Sequence, residues 1–225
     1  MEKYQNINII YEDNHLLIVH KPANMPVCLD NSKDIDLLSK LKEYIKIKYN
    51  KPGNVYLGLI HRLDRPVEGI MVFAKTSKAA SRLSNQIQNN KFNKTYYAVI
   101  ENNPPKEGKY IDHLYKDEKN NTSYVTTKNK GKESILEYKL ISNKDNLSLV
   151  KINLLTGRHH QIRVQFSHHG YPLYGDHKYN QKFIQDNKEN IALIAKKISF
   201  YHPITNELLT FEIELPKKYP YTLFF

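Results

Sequence analysis

The stretch HRLDRPVEGIMVFAKT, residues 61–76, decides how the chain is expected to fold. A polar loop, residues 61–69, leads into an apolar run, residues 70–74, which predicts a buried strand. Residues 56–60 are also apolar, so the loop is expected to lie between two hydrophobic segments. The polar residues of the loop are therefore tied at both ends to the core.

Asp64 is the first acidic residue of this loop, and Arg62 and Arg65 flank it. A carboxylate among arginines stays ionised and oriented, as an enzymatic nucleophile must be. The same residues also fit a loop aspartate in an ordinary ion pair, and the local sequence alone favours that structural role. The case for Asp64 as a nucleophile therefore depends on the rest of the chain.

The segments on either side of this loop favour an α+β fold. An amphipathic helix is predicted over residues 35–49, with Asp34 as its N-cap. A second helix is predicted from the cap Ser77 to about Asn89. Further predictions are strands over residues 9–11, 16–19, 94–100, 124–127, 135–141, 147–154, 191–200 and 207–214, a loop over 102–109, a turn over 117–121, a helix over 159–168, and a surface loop or short helix over 181–190. Because the strands outnumber the helices and are grouped, mostly antiparallel pairing is expected.

The composition indicates a globular protein and fits a polyanionic partner. The 225 residues are 40% hydrophobic and 25% charged, which suits one domain or a single core with a two-lobed sheet. Lys and Arg number 34 against 23 Asp and Glu, a formal charge of +11 that favours nucleic acid. A basic surplus of this kind also fits a Lys-rich proteome, and charge alone does not separate the two interpretations.

The chain is expected to be cytoplasmic. Residues 1–13 lack the long apolar run of a signal peptide, and no apolar run approaches the roughly 20 residues that span a bilayer. Cys28 is the single cysteine, so no internal disulfide can form, which fits a reducing compartment.

A second segment that carries chemistry is TGRHHQIRVQFSHHGYPLYGD, residues 156–176. Its arginines, Arg158 and Arg163, can bind phosphate or hold a carboxylate in place. Its four histidines could suggest a metal site, but no two of them are spaced i, i+4, and the chain has no HExxH arrangement. Phosphate contacts or hydrogen bonds in the core are therefore the favoured roles of these histidines.

A third segment is KTYYAV, residues 94–99. Side chains alternate along a strand, so Tyr96 and Ala98 share one face while Tyr97 and Val99 share the other. One tyrosine is expected in the core and the other outward or in a cleft, and the sequence does not say which.

Five blocks of the sequence, taken together, resemble the RluA-like family of RNA pseudouridine synthases. Residues 61–76 resemble the family's HRLD loop and the strand that ends in AKT, and residues 94–100 resemble its K-x-Y strand. The other three blocks are IIYEDNHLLIVHKPANMPV (9–27), TGRHHQIRVQFSHHGYPLYGDHKY (156–179) and FYHPITNELLTFEIELP (200–216). They follow the family's order and extend over nearly the whole chain, so chance is a poor explanation.

The resemblance implies a set of site residues. Asp64 matches the family's nucleophile, Tyr96 the tyrosine that stacks on the target uracil, and Arg163 the basic residue paired with the catalytic carboxylate. Arg62 matches an arginine that holds the flipped-out nucleotide, and Ile162 a residue that lines the pocket. Further substrate contacts are expected from the two basic segments, at Arg65, Arg158 and His160.

The resemblance also implies a fold, a partner and a domain organisation. The fold would be a mixed, mainly antiparallel, two-lobed sheet flanked by helices, with a central catalytic cleft. The partner would be RNA, ribosomal or transfer, bound by a monomer that needs no cofactor, metal or membrane. Many relatives carry a small RNA-binding domain first, whereas residues 1–225 are expected to form a single catalytic domain.

The chain departs from the family pattern in two places. Val67-Glu68 replaces the usual Thr-Ser, which adds a negative charge four residues after Asp64, and His159 replaces a common Thr. Neither change removes a residue of the expected catalytic set. The first puts the RNA contacts of this loop in doubt.

Two other functions fit parts of the sequence. A non-catalytic RNA-binding protein could use the same fold, but it would not need Asp64, Tyr96 and Arg163 together. A metal-dependent nuclease needs clustered carboxylates, whereas the acidic residues here are scattered and Asp64 lies among arginines that repel a cation.

Overall fold

The computed structural model describes residues 7–30, 32–185 and 189–225. The chain forms two compact units, the first comprising Met1–Phe92 and Lys197–Ile213, and the second comprising Asn93–Lys196 and Glu214–Phe225. The strands are β1 Asn8–Glu12, β2 Leu16–Lys21, β3 Gly58–Leu59, β4 Glu68–Ala74, β5 Asn93–Glu101, β6 Glu107–Asp117, β7 Thr122–Thr126, β8 Lys132–Lys144, β9 Leu147–Leu154, β10 Leu193–Tyr201 and β11 Leu208–Glu212. The α-helices of the described residues are α1 Leu37–Lys48, α2 Ser77–Gln88 and α3 Gln161–His168, and short 3-10 helices lie over Gln181–Phe183 and Tyr221–Phe224.

In the first unit, β2 and β4 form the centre of an antiparallel sheet. β1 pairs with β2, β2 with β4, and β3 with β4, and β10 and β11 form a hairpin over Lys197–Tyr201 and Leu208–Glu212. Residues 16–19 and 70–74 have no exposed side-chain surface, so these strands are buried on both faces. The apolar run after the Asp64 loop is thus the buried strand that its sequence predicts.

The core of the first unit joins one face of this sheet to α2. Ala79 and Leu83 of α2 pack with Ile70 and Val72 of β4 and with Phe200 of β10. Helix spacing places Ala79 and Leu83 on one side of α2, which is why the sequence pattern predicts this face.

In the second unit, five antiparallel strands follow the order β5-β9-β8-β6-β7. The predicted strand over residues 147–154 is confirmed to the residue as β9. The loop predicted over residues 102–109 is wrong at its end, because β6 already begins at Glu107. β6 buries only Tyr110 and Leu114 among its eleven residues, so its sequence carries little of the apolar alternation that marks a strand.

The helix caps differ from the prediction by one or two residues. Asp36, not Asp34, caps α1, and its Oδ1 accepts a hydrogen bond from the Ser39 N–H at 3.0 Å. Thr76, not Ser77, caps α2 through the Ala79 N–H. In both cases the residue immediately before the first helical turn is the one whose oxygen can reach the free N–H groups.

The third helix begins at Gln161, two residues later than the prediction, because the preceding residue, His160, has a φ of 53°. Residues 186–188 of the predicted surface segment 181–190 lie outside the described residues, and Gln181–Phe183 is the short helix. Among the helices of the described ranges, none combines the length and the apolar character needed to cross a membrane.

Candidate active site

The Asp64 loop is a tight turn with both ends anchored in the first unit. The Val67 N–H donates to the Asp64 carbonyl at 3.0 Å, so the chain reverses over Asp64–Val67. Leu63 and Val67 are buried on either side of the turn, while Arg62 and Arg65 are exposed. Two buried anchors around a half-buried carboxylate fix the position of Asp64 without covering it.

The substituted pair Val67-Glu68 takes part in this anchoring. Val67 is 2% exposed and contributes an apolar contact at the turn. Glu68 begins β4, and its carboxylate lies 3.9 Å from the His20 imidazole. The negative charge of Glu68 thus lies at the start of β4, after the turn.

Lys21 is hydrogen-bonded to the backbone of the Asp64 loop. Its side chain has no exposed surface, and its Nζ donates to the carbonyls of Pro22 at 2.9 Å and of Arg65 at 3.0 Å. Burial lowers the pKa of Lys21 to about 8, although the negative charges of Asp64 and Glu68 oppose the shift. A buried cation therefore ties the end of β2 to the residue after Asp64.

Arg65 is already engaged by carboxylates. Its Nη2 pairs with Asp34, its Nη1 lies 3.8 Å from Asp30, and its Nη1 donates to Ser32 at 2.9 Å. The paired guanidinium holds the pKa of the Asp34 carboxyl below its usual range. Asp34 thus connects the segment before α1 to the Asp64 loop instead of capping the helix.

In the second unit, Tyr96 is the inward tyrosine of β5. It is 5% exposed, whereas Tyr97 is half-buried and has Lys196 Nζ 5.4 Å from its ring centroid. Lys94 lies on the same face as Tyr96 and is also buried, which lowers its pKa. Lys94 Nζ lies close to Gly157, where an added Cβ would come within 3.4 Å of it.

Side-chain hydrogen bonds of Thr156 and Gln161 hold the segment Thr156–Arg158 against β8. Thr156 Oγ1 accepts from the Ile135 N–H at 2.8 Å, and Gln161 Nε2 donates to the Ile135 carbonyl at 3.1 Å. Gln161 Oε1 in turn accepts from Thr156 Oγ1 and from the Arg158 N–H. Arg158 itself is exposed, with Nε bonded to the Glu133 carbonyl. The segment therefore enters α3 in a fixed position.

Arg163 is buried and held by a carboxylate, that of Asp176. Arg163 Nε donates to Asp176 Oδ2 at 2.8 Å, and Nη2 donates to Oδ1 at 2.7 Å. The side chains are 4% and 0% exposed, and Asp176 Oδ1 also accepts from the backbone N–H groups of Lys178 and Tyr179. This bidentate geometry fixes the plane of the guanidinium, which a lysine could not do.

His160 precedes α3 and is buried with an uncharged ring. Its Nδ1 lies 2.7 Å from the Tyr179 hydroxyl, and its ring stacks on His159 at 3.7 Å. Burial first, and then the positive charge of Arg163, lower the pKa of His160 to about 2. A neutral, 8% exposed imidazole is not a phosphate-binding cation, so its substrate-binding role stays a prediction that needs another mechanism.

The expected site residues fall into two groups. Asp64, Arg62 and Arg65 lie on one loop of the first unit, and Tyr96, Ile162 and Arg163 are buried in the second, where Ile162 is 5% exposed. Sequence reasoning missed Lys21, Asp176 and Tyr179. Lys21-Pro22, in the block 9–27, and Gly175-Asp176, in the block 156–179, are sequence signals for the first two, but a buried ion pair leaves no periodic pattern in the sequence. Within the described ranges, no three His, Cys, Asp or Glu side chains are grouped as metal ligands.

The fold is that of pseudouridylate synthases. The solved structure of human RNA pseudouridylate synthase domain containing 4 superimposes with a TM-score of 0.77 at 21% identity, over 93% of this chain and 89% of that chain. The solved structure of human RNA pseudouridylate synthase domain containing 1 gives a TM-score of 0.75 at 20% identity, over 95% of this chain and 85% of that chain.

Sequence comparison identifies the family. A profile described as RNA pseudouridylate synthase matches residues 15–168. The chain is 31% identical to the ribosomal large subunit pseudouridine synthase D of Zymomonas mobilis, over 94% of this chain and 70% of the relative. It is 34% identical to the ribosomal large subunit pseudouridine synthase C of Buchnera aphidicola, over 88% and 64%. The chain therefore belongs to the RluA-like family of RNA pseudouridine synthases, which are isomerases.

Proposed function

We propose that this protein converts specific uridines of ribosomal RNA to pseudouridine, with Asp64 as the nucleophile and the target nucleotide flipped out of its stack. The observation that carries the proposal is the Asp64 turn, a half-buried carboxylate held between the buried anchors Leu63 and Val67. Ribosomal RNA is chosen over transfer RNA because the relatives named above are large-subunit enzymes.

The reaction breaks the bond between ribose and uracil N1, rotates the base and rejoins it through C5. The C5 proton leaves to solvent and N1 gains a proton, so the reaction is an isomerisation with no net oxidation or reduction, and the proposal includes no cofactor and no metal. Asp64 attacks either the ribose or the uracil ring. Tyr96 or a water molecule takes the C5 proton.

Extrusion of the nucleotide costs a few kcal/mol. Stacking of the uracil on Tyr96 can return about 1–3 kcal/mol of this cost. Arg62 is exposed on the turn that carries Asp64, which suits a side chain that grips the backbone or fills the vacated space.

Arg163 is the basic residue of the catalytic set in this proposal. Asp176 engages Nε and Nη2 of its guanidinium and fixes the guanidinium plane. Ile162, Arg158 and His160 belong to the same segment and are assigned to the substrate pocket. We further propose that the protein acts as a monomer in the cytoplasm, where its single cysteine stays reduced.

The substrate assignment can be tested by mapping pseudouridines in cells with and without the gene. The expected result is the loss of one or more pseudouridines from large-subunit ribosomal RNA, restored by the wild-type gene and not by Asp64→Asn. Loss confined to transfer RNA would overturn the ribosomal assignment while keeping the enzyme class. An unchanged pseudouridine map would contradict both.

A further inference from the structure

The Arg163 guanidinium has a second neighbour, the ring of Tyr179. The guanidinium carbon lies 5.1 Å from the centroid of that ring, within the range of a cation–π contact. The Asp176 carboxylate grips the edge of the same guanidinium. The guanidinium therefore has little freedom to rotate, because Asp176 binds its edge and the Tyr179 ring lies near its central carbon.

Tyr179 is itself fixed at both ends. Its hydroxyl accepts a hydrogen bond from the Ser123 N–H of β7 at 2.8 Å and lies 2.7 Å from His160 Nδ1. Its backbone N–H donates to Asp176 at 3.3 Å, and its carbonyl accepts from Ser167 Oγ at 2.7 Å. The hydroxyl is thus anchored to β7 and His160, and the backbone to α3 and to Asp176, which pairs with Arg163.

His160 completes the chain of contacts at a conformational cost. Its φ of 53° lies in the left-handed region, which residues other than glycine rarely adopt unless the surrounding structure holds them there. The imidazole meets the Tyr179 ring edge-on at 5.5 Å, and its pKa near 2 keeps it neutral beside the Arg163 cation. Nδ1 of a neutral imidazole can accept a hydrogen bond from the Tyr179 hydroxyl, while the hydroxyl oxygen accepts one from the Ser123 N–H.

We propose that Tyr179 is a positioning residue for Arg163, and that the Ser123–Tyr179–His160 hydrogen-bond chain sets the orientation of the guanidinium during pseudouridine formation. This rests on the proposed function, because it assigns Tyr179 to the same reaction. Tyr179 touches no reacting atom in this scheme, and it acts only through Arg163.

The test compares Tyr179→Phe with Tyr179→Leu. Phe keeps the ring near Arg163 and removes the hydroxyl, whereas Leu removes both. Misplacement of a group near the reacting atoms costs up to about 100-fold in rate. We therefore expect kcat to fall roughly 10-fold for Phe and about 100-fold for Leu, with KM for the RNA nearly unchanged. Tyr115→Leu is the matched control, because Tyr115 lies in the same unit and is 45% exposed.

A spectroscopic arm makes the test independent of activity. Arg163 Nε–H is buried and bonded to Asp176, so it should give a slowly exchanging signal in a ¹⁵N–¹H spectrum of the arginine side chains, assigned with Arg163→Lys. Tyr179→Leu should shift or broaden this signal, and Tyr115→Leu should not.

An unchanged Arg163 signal together with an unchanged kcat in folded Tyr179→Leu would overturn the proposal. If Tyr179→Leu does not fold, Tyr179→Phe decides by the same two readouts. If the wild type forms no pseudouridine, the proposed function fails, while the spectrum still decides whether Tyr179 orients Arg163.

Discussion

The two units each bury a cation near the expected chemistry, and they stabilise it in opposite ways. Lys21 in the first unit has no exposed surface and donates to two backbone carbonyls. Arg163 in the second unit is gripped by a fully buried carboxylate in a bidentate pair. Neutral carbonyls compensate a buried charge only in part, so burial lowers the pKa of Lys21. Arg163 stays charged, and its carboxylate partner fixes the plane of its guanidinium.

The difference indicates two tasks. Lys21 ties together two backbone segments, and it can do so as a point donor with no preferred plane. In the proposed function, Arg163 presents donors in defined directions, which needs the planar guanidinium and a partner at its edge. The comparison predicts that exchanging lysine and arginine has unequal consequences for activity at Lys21 and at Arg163.

The largest expected effect is at Arg163. Arg163→Ala leaves the Asp176 carboxylate buried without its partner, which costs about 3–5 kcal/mol of folding free energy. Arg163→Lys restores the charge but not the bidentate geometry, so stability should recover more than activity. For Arg163→Ala we expect a single-turnover rate at least about 100-fold below that of the wild type. Arg163→Lys should regain part of the lost rate.

Arg62→Ala is the control for this prediction. Arg62 is exposed and is assigned to the RNA, so its loss should weaken RNA binding and leave the rate at saturating enzyme close to that of the wild type. If Arg62→Ala and Arg163→Ala lower the RNA affinity and the single-turnover rate in the same proportion, the assignment of separate roles to these arginines is wrong.

A smaller effect is expected at Lys21, and it depends on pH. The pKa of about 8 in the folded protein lies below the ordinary 10.5, so between these values the unfolded chain binds more protons. The free energy of unfolding should therefore rise with pH across this window, by at most about 3 kcal/mol, as the buried ammonium loses its proton. Lys21→Met removes this contribution.

The measurement is urea unfolding of the wild type and Lys21→Met between pH 7.5 and about 10.5. The wild type should gain stability relative to Lys21→Met as pH rises. Lys78→Met, an exposed change on α2, should run parallel to the wild type. A difference that does not change with pH would show that Lys21 does not titrate in this window.

Much of the fold could be predicted because its strands are either fully apolar or regularly alternating. The run 70–74 is buried throughout, and residues 147–154 match β9 at both ends. β6 was not predictable in this way, because its residues are mostly polar and it becomes a strand by pairing with β7 and β8.

The candidate site could be predicted only in part. Motifs predict Asp64 and Arg163 as candidate site residues, since each lies in a recognisable local pattern. The partner of Arg163 found here, Asp176, lies 13 residues away, and the carbonyl partner of Lys21 at Arg65 lies 44 residues away. Such pairs depend on the folded chain, and one sequence gives no measure of distance between its segments.

The most direct test of the central claim is tritium release from large-subunit ribosomal RNA labelled at uracil C5. Wild-type protein and Asp64→Asn would be compared at saturating enzyme, with RNA binding followed on filters and Asp145→Asn, an exposed acidic residue, as the matched control. The account predicts release by the wild type and by Asp145→Asn, no release by Asp64→Asn, and undiminished RNA binding by all three. Release by Asp64→Asn at the wild-type rate would contradict the account.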